Sequence, residues 1–235
     1  MIRNVVTGFT VIVLLAGCSG DFGSPVAVSP ERYQPIRPQA DAQAVVFPGP
    51  EGFAIHDKTS QQSPGPNGTA ASAADARPDG TASCNASAGQ GGSATSSFVL
   101  GAALRNDSSA PMPVAVTCDI EYDYALQATA PSGGRSTNGT LALMMEAREQ
   151  GTSKLLFQHP LATLSGYEDN VKRSDQQRVQ FAATISPTAS WRIVLQGKVG
   201  AESAKEGKAE VQLRVTRCQM TVKPLPPPAT QQVTK

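Results

Sequence analysis

Three carboxylates at alternating positions, Asp119, Glu121 and Asp123, form the densest group of chemically capable side chains in the chain. On a strand, alternate residues share one face about 7 Å apart, so the three make a row. Calcium takes about six to eight oxygen ligands, and a site here would need more of them from a loop, such as Glu168, Asp169 or Asp175. The plainer arrangement is a solvated acidic row facing basic residues of neighbouring strands, such as Arg192, Lys198 and Arg214. The row is therefore a candidate ligand-binding surface with no resident metal or other cofactor expected. Tyr167 joins it as the one aromatic of this region placed outside the apolar alternation, where it is free to meet a ligand. Trp191, Tyr122 and Tyr124 fall in apolar parity and read as core.

The remaining residue types point away from catalysis. There are two histidines, His56 and His159, and neither has a cysteine, histidine or carboxylate at ligand spacing. A glycine-rich phosphate loop, a Gly-x-Ser-x-Gly elbow and a zinc-type cysteine pair are all missing from the sequence. With no nucleophile beside a base, no catalytic residue is assigned and the chain reads as non-enzymatic. Lys plus Arg number 20 and Asp plus Glu 19, and this near balance supplies no basic field for nucleic acid.

The elements that must carry these residues read as strands. Phe98, Leu100, Ala102 and Leu104 alternate with small or polar neighbours from Ser96 onward. The clearest run is Val114, Val116, Cys118, Ile120, Tyr122, Tyr124, Leu126 and Ala128 on one parity, with the acidic row on the other. Such period-two alternation marks a strand with one dry and one wet face. Further strands follow around residues 141–147, 155–159, 179–185, 191–199 and 209–222, separated by Pro, Gly and Ser. Residues 161–176 show no period and read as a long polar crossover. The expected fold is an all-β antiparallel sandwich of about seven strands over residues 96–222. Residues 18–95, rich in Pro, Gly, Ser and Ala, read as a disordered tether, in which 44–47 and 53–55 are apolar enough to dock. The Pro-rich end from 223 to 235 reads as an unpacked tail.

The last strand switches apolar parity between Val215 and Cys218, which one extra residue near Thr216 or Arg217 would reconcile as a β-bulge. Laid antiparallel against the 114–130 strand with Cys118 opposite Cys218, this register sets Tyr122 by Leu213, Tyr124 by Val211 and Glu121 by Arg214. It predicts a Cys118–Cys218 disulfide and leaves Cys84 over. Pairing of Cys84 with Cys118 or Cys218 stays open, because three thiols allow three single bridges.

At the start of the chain, Arg3 and the α-amino group precede an apolar run from Val5, which ends in Leu15-Ala16-Gly17-Cys18. This pattern resembles the signal peptide and lipobox of bacterial lipoproteins. The resemblance covers about the first eighteen residues. It implies removal of residues 1–17 and lipidation of Cys18, hence attachment to a membrane, since two or more acyl chains give stable anchoring. Ser19, in place of aspartate after the cysteine, implies sorting to the outer membrane. The functional expectation is an envelope lipoprotein acting as a structural or interaction module with an envelope protein partner. The alternative is a ligand-binding sandwich for carbohydrate or calcium.

Overall fold

The structure is a computed structural model and describes residues 33–36, 43–129, 137–150, 154–166 and 170–226. Cys18, Tyr167, Glu168, Asp169 and most of the Pro-rich tail lie outside the described residues. Twelve strands occur among the described residues, in two sheets. In chain order they are β1 (Gln34–Ile36), β2 (Val45–Phe47), β3 (Ile55–Ser63), β4 (Thr69–Ala76), β5 (Ala82–Gly89), β6 (Ser93–Asn106), β7 (Met112–Thr129), β8 (Asn138–Glu149), β9 (Leu155–Gly166), β10 (Asn170–Ile185), β11 (Ser190–Glu202) and β12 (Lys208–Pro224).

Sheet A runs β6-β11-β8-β9, and the free edge of β6 is shared by β3 and, in parallel, β1. Sheet B runs β10-β7-β12-β5-β4, with β2 taking over the β12 edge where β5 ends. Except for β1, all pairing is antiparallel. The inner faces interdigitate into one apolar core running from Phe98, Leu100 and Leu104 through Trp191, Ile193 and Leu195 to Val114, Ile120 and Leu213. This is the two-layer sandwich that the alternation required. The seven expected strands are β6 to β12. The predicted inward parity of β7 holds from Val114 to Ala128, all buried.

The expectation of a disordered tether over residues 18–95 fails where they are described, because β1 to β5 fall there. The reason is residue size. In β5, Ala82, Cys84, Ala86 and Ala88 point inward and alternate with Ser83, Asn85 and Ser87, a true period-two pattern written in side chains too small to stand out. β5 lies between β12 and β4, and β1 to β4 each lie along one neighbour, so these strands gain their stability from that pairing rather than from their own apolar payload. The two apolar patches singled out in this stretch dock as anticipated. Phe47 and Phe53 are buried with ring centroids 6.5 Å apart, and Ile55 is buried on the outer face of sheet A with Ala103 and Val194.

The described residues of the expected crossover at 161–176 are also strand: 161–166 are the second half of β9 and 170–176 the start of β10. Both are outermost in their sheets, so inward positions there face the open side of the sandwich and stay partly wet, which erases the period. At the other end, β12 continues to Pro224, and the Leu225 amide donates to the Pro113 carbonyl at 2.8 Å, so residues 223–225 are packed and not part of an unpacked tail.

The bulge sits where the parity switch put it, with the β12–β7 register shifting between Val215 and Arg217. The absolute register differs by two residues from the expected one. Tyr122 faces Val215, Tyr124 faces Leu213, Cys118 faces Met220 and Cys218 faces Ile120. The Cys118–Cys218 disulfide is therefore not formed: the two are diagonal neighbours, and Cys84, Cys118 and Cys218 are all buried free thiols. Parity alone admits every even slip. What selects this one is the chain around the bulge, where β5 ends at Val215, β2 begins at Met220, and the turn Arg77–Thr81 closes between them. Gly80 in that turn has φ +92, and a Cβ there would meet the Cys218 carbonyl, so a side chain is excluded on both counts.

Candidate functional site

The acidic row lies on the outer face of β7 as predicted, and each member has a basic neighbour. Arg178 Nε on β10 is 2.6 Å from Asp119 Oδ1, and Arg217 Nη1 on β12 is 3.3 Å from Glu121 Oε1. Asp123 lies opposite Arg214. Of the basic residues anticipated, Arg214 is the one that takes part. Arg192 and Lys198 are on sheet A, across the core. Among the described residues no group of three or more potential ligands converges on a metal position. The arrangement is a charge ladder across β10, β7 and β12, in which opposite charges on neighbouring strands add modest support.

The two histidines sit apart. His56 is exposed on β3, and His159 is exposed on β9 with its ring 6.2 Å from that of Phe157. Trp191, Tyr122 and Tyr124 are buried in the core, as their parity required.

The structure assembles a site elsewhere, along the open side of the sandwich between β9 and β10. β9 pairs with β8 through two irregularities, one between Leu143 and Met144 and one between Ala147 and Arg148, which leave Leu161 and Leu156 as the extra residues. A bulge residue loses its place in the ladder, and the carbonyl of Leu161 finds substitutes. The Tyr122 hydroxyl donates to it at 3.0 Å and Gln177 Nε2 donates to it at 3.2 Å. Gln177 Nε2 also donates to the Tyr122 oxygen at 2.8 Å and to Asp175 Oδ2 at 3.2 Å, and Asp175 Oδ2 lies 3.3 Å from the Tyr122 hydroxyl. One polar knot thus ties β7, β9 and β10 together.

Its electrostatics follow from the surroundings. Burial, reinforced by the Asp175 carboxylate, pushes the Tyr122 hydroxyl up to about 12. The Asp175 carboxyl is held below its ordinary value, first by the Gln177 amide and then by the Gln176 backbone N–H. At neutral pH the pair is a protonated phenol beside a fixed carboxylate. Neither group is poised to shuttle a proton, so the knot positions strands and offers hydrogen bonds. Beside it, the rings of Phe157 and Phe181 stack at 4.1 Å, 4° from parallel, bridging the two sheets at their open side. The sequence points to Asp175 only as a further calcium ligand from a loop, and does not connect Gln177, Phe157 and Phe181. The available signal was the pair Phe157 and Phe181, single aromatics on facing edge strands, but which strands face each other is not written locally.

A second buried polar centre holds one pole of the sandwich. Asn106 is fully buried at the end of β6. Its Nδ2 donates to the carbonyls of Ala110 at 2.9 Å and Ser186 at 3.1 Å, and its Oδ1 accepts from the Ser108 amide at 3.0 Å. It locks the β6–β7 connection to the β10–β11 turn. The described chain enters close to this pole, at Gln34 beside Leu104, and leaves at it, at Pro224 beside Val114.

No family model matches the chain, and no curated protein matches it. Several solved structures are similar to it. The family 11 carbohydrate-binding module from Clostridium thermocellum, in complex with a β-1,3-1,4-mixed-linked tetrasaccharide, is 8% identical over 77% of this chain and 96% of that one, with TM-score 0.23. The same family of module from the cellulosomal cellulase Lic26A-Cel5E is 6% identical over 77% and 95%, also at 0.23. The infectious bursal disease virus Gt strain structure is 8% identical over 88% of this chain and 48% of that one, again at 0.23. At these values the likenesses carry nothing about what this chain does. The assignment as a two-sheet antiparallel β-sandwich stands on its own strand pairing.

Proposed function

We propose that this chain is a lipid-anchored, non-enzymatic interaction module of a bacterial envelope, held to the outer membrane through Cys18. The carrying observation is that the described chain starts on the β6 edge two residues short of the pole closed by Asn106, runs toward that pole, and leaves the sandwich at it. From Cys18 to Tyr33 the backbone spans at most about 50 Å. The leash is therefore short, and it meets the body close to the pole where the β6–β7 and β10–β11 connections lie. The opposite pole, with the connections after β3, β5, β7, β9 and β11, faces away from the membrane. In support of binding rather than catalysis, the acidic row is matched by arginines, and the Tyr122–Asp175 pair is fixed in a single protonation state near neutrality.

Intact-mass spectrometry of the membrane fraction tests the anchor. The expected mature chain begins at Cys18 and carries added acyl mass; a different start or an unmodified mass refutes it. A thermal melt with calcium and with a panel of glycans tests the module. A flat response is expected, because a ligand that binds the native state raises the melting temperature. A reproducible rise would move the reading to a ligand-binding sandwich.

A further inference from the structure

β10 keeps one edge without a strand partner among the described residues. Proteins that remain monomeric blunt such edges by shortening them, or by proline, bulges or inward charge. Among the described residues five of the six outer strands are blunted by length, proline or bulges, β1 and β2 being 3 residues each. β9 carries Pro160 and two register shifts, while β3 and β4 are 9 and 8 residues long. β10 is blunted by charge alone, and only over its first nine residues: Lys172, Arg173, Asp175 and Arg178 lie there, Arg173 and Asp175 on the inward parity of Tyr124 and Tyr122, while its 16 residues pair with β7 from Asn170 to Ile185 without a shift or a proline. From Val179 to Ile185 it carries no charge.

We propose that β10 is the seam of a homodimer, two copies pairing antiparallel about a twofold axis through Gln177. An axis perpendicular to sheet B keeps the open side of both sandwiches on the same side, so inward residues face inward residues and the sheet continues from one copy into the next. Under that constraint the charges of β10, Lys172, Arg173, Asp175 and Arg178, select the register. An axis at Arg173 or Arg178 sets a guanidinium against itself. One at Asp175 opposes two carboxylates and sets Lys172 against Arg178. Axes at Ser174, Gln176 or Val179 avoid like charges but pair fewer residues. The axis at Gln177 runs from Asn170 facing Thr184 inward with no like charges opposed, and like charges directly opposite are the costly arrangement. It also sets Arg173 against Phe181 of the second copy. The Phe181 ring, stacked on Phe157 at the open side, then accepts a guanidinium. Ser174 faces Gln180, and Gln176 faces Arg178.

The test is register-specific cross-linking of the full chain in its native membrane, followed by sedimentation in detergent, or in buffer if the chain carries no lipid. Its outcome is thus independent of the anchor. Gln177→Cys, the one self-opposed position, is expected to give a disulfide-linked dimer on oxidation. Ser174→Cys and Gln180→Cys, both at exposed positions, are expected to cross-link together and not singly. Because Gln177 belongs to the polar knot, the Ser174 and Gln180 variants keep the test valid should Gln177→Cys fold poorly. Ser174→Lys with Gln180→Lys is expected to weaken the dimer roughly tenfold, and Ser174→Glu with Gln180→Lys to restore it. A monomer at every concentration overturns the proposal. So does cross-linking by Ser174→Cys or Gln180→Cys alone, or a Gln177→Cys adduct with another protein instead of a second copy.

Discussion

Deleting single residues from β12 tests the bulge directly. Val215 faces Tyr122, Arg217 faces Glu121 and Cys218 faces Ile120, so Thr216 is the extra residue. Removing Thr216 leaves Val215 inward, Arg217 outward and Cys218 inward, and every later pair is unchanged. The loss is one hydrogen bond, from Thr216 Oγ1 to the Glu121 carbonyl at 3.2 Å, in an exposed setting. The expected cost is about 1 kcal/mol. Removing Gln219, three residues on, cannot be absorbed in that way. Either Met220 and Val222, both fully buried, turn to solvent, or the bulge vanishes and Arg217 is driven inward while Cys218 turns out. For the first route, about 1.5–3 kcal/mol for each exposed side chain gives roughly 3–6 kcal/mol. That is a large share of the stability of an ordinary domain. Equilibrium urea unfolding of the two deletion variants beside the parent chain measures the difference. Equal costs, or a larger cost for the Thr216 deletion, would refute the account of the parity switch.

Other consequences are open to simpler measurements. Burial raises the thiols of Cys84 and Cys218 from the ordinary 9.0 to about 12 and raises Cys118 as well, so a disulfide exchange reagent at pH 8 should label none of them until the chain unfolds. The same shifts have a sign in stability: the unfolded chain releases these protons from about pH 9 while the native chain holds them, so stability is intact below pH 9 and falls as pH rises toward 12. Gly197 lies opposite Phe98, whose ring fills the space a Cβ would take, so Gly197→Ala should cost about 1–3 kcal/mol by overpacking and lower the melting temperature. Asn106→Ala removes a fully buried amide and strands part-buried carbonyls of two connections, and should cost about 1–3 kcal/mol, with the earliest hydrogen exchange appearing at the amides of residues 107–110, 186, 188 and 189. Tyr122→Phe leaves the Leu161 carbonyl to Gln177 alone and should cost about 1 kcal/mol.

Alternation alone placed β6, β7, β11 and β12, together with the bulge at Thr216, because these strands are buried on one face and a one-residue slip would turn that face to water. The polar row of Asp119, Glu121 and Asp123 was legible for the same reason. The small-residue parity of β5, Ala82, Cys84, Ala86 and Ala88, was equally regular, but its residues carry too little apolar surface to separate a strand from a linker without knowing what lies beside them. The second half of β9 and the start of β10 were obscured by their position: at the open side of a sandwich both faces are partly wet, and the pattern that marks a strand disappears. The even slip that sets Cys118 by Met220 rather than Cys218, and the meeting of Phe157 with Phe181 and of Tyr122 with Asp175 and Gln177, were decided by the tertiary structure. Period two states which side of a strand is dry. It is silent on which strand lies alongside and how far along, since those depend on turns and neighbours distant in the chain.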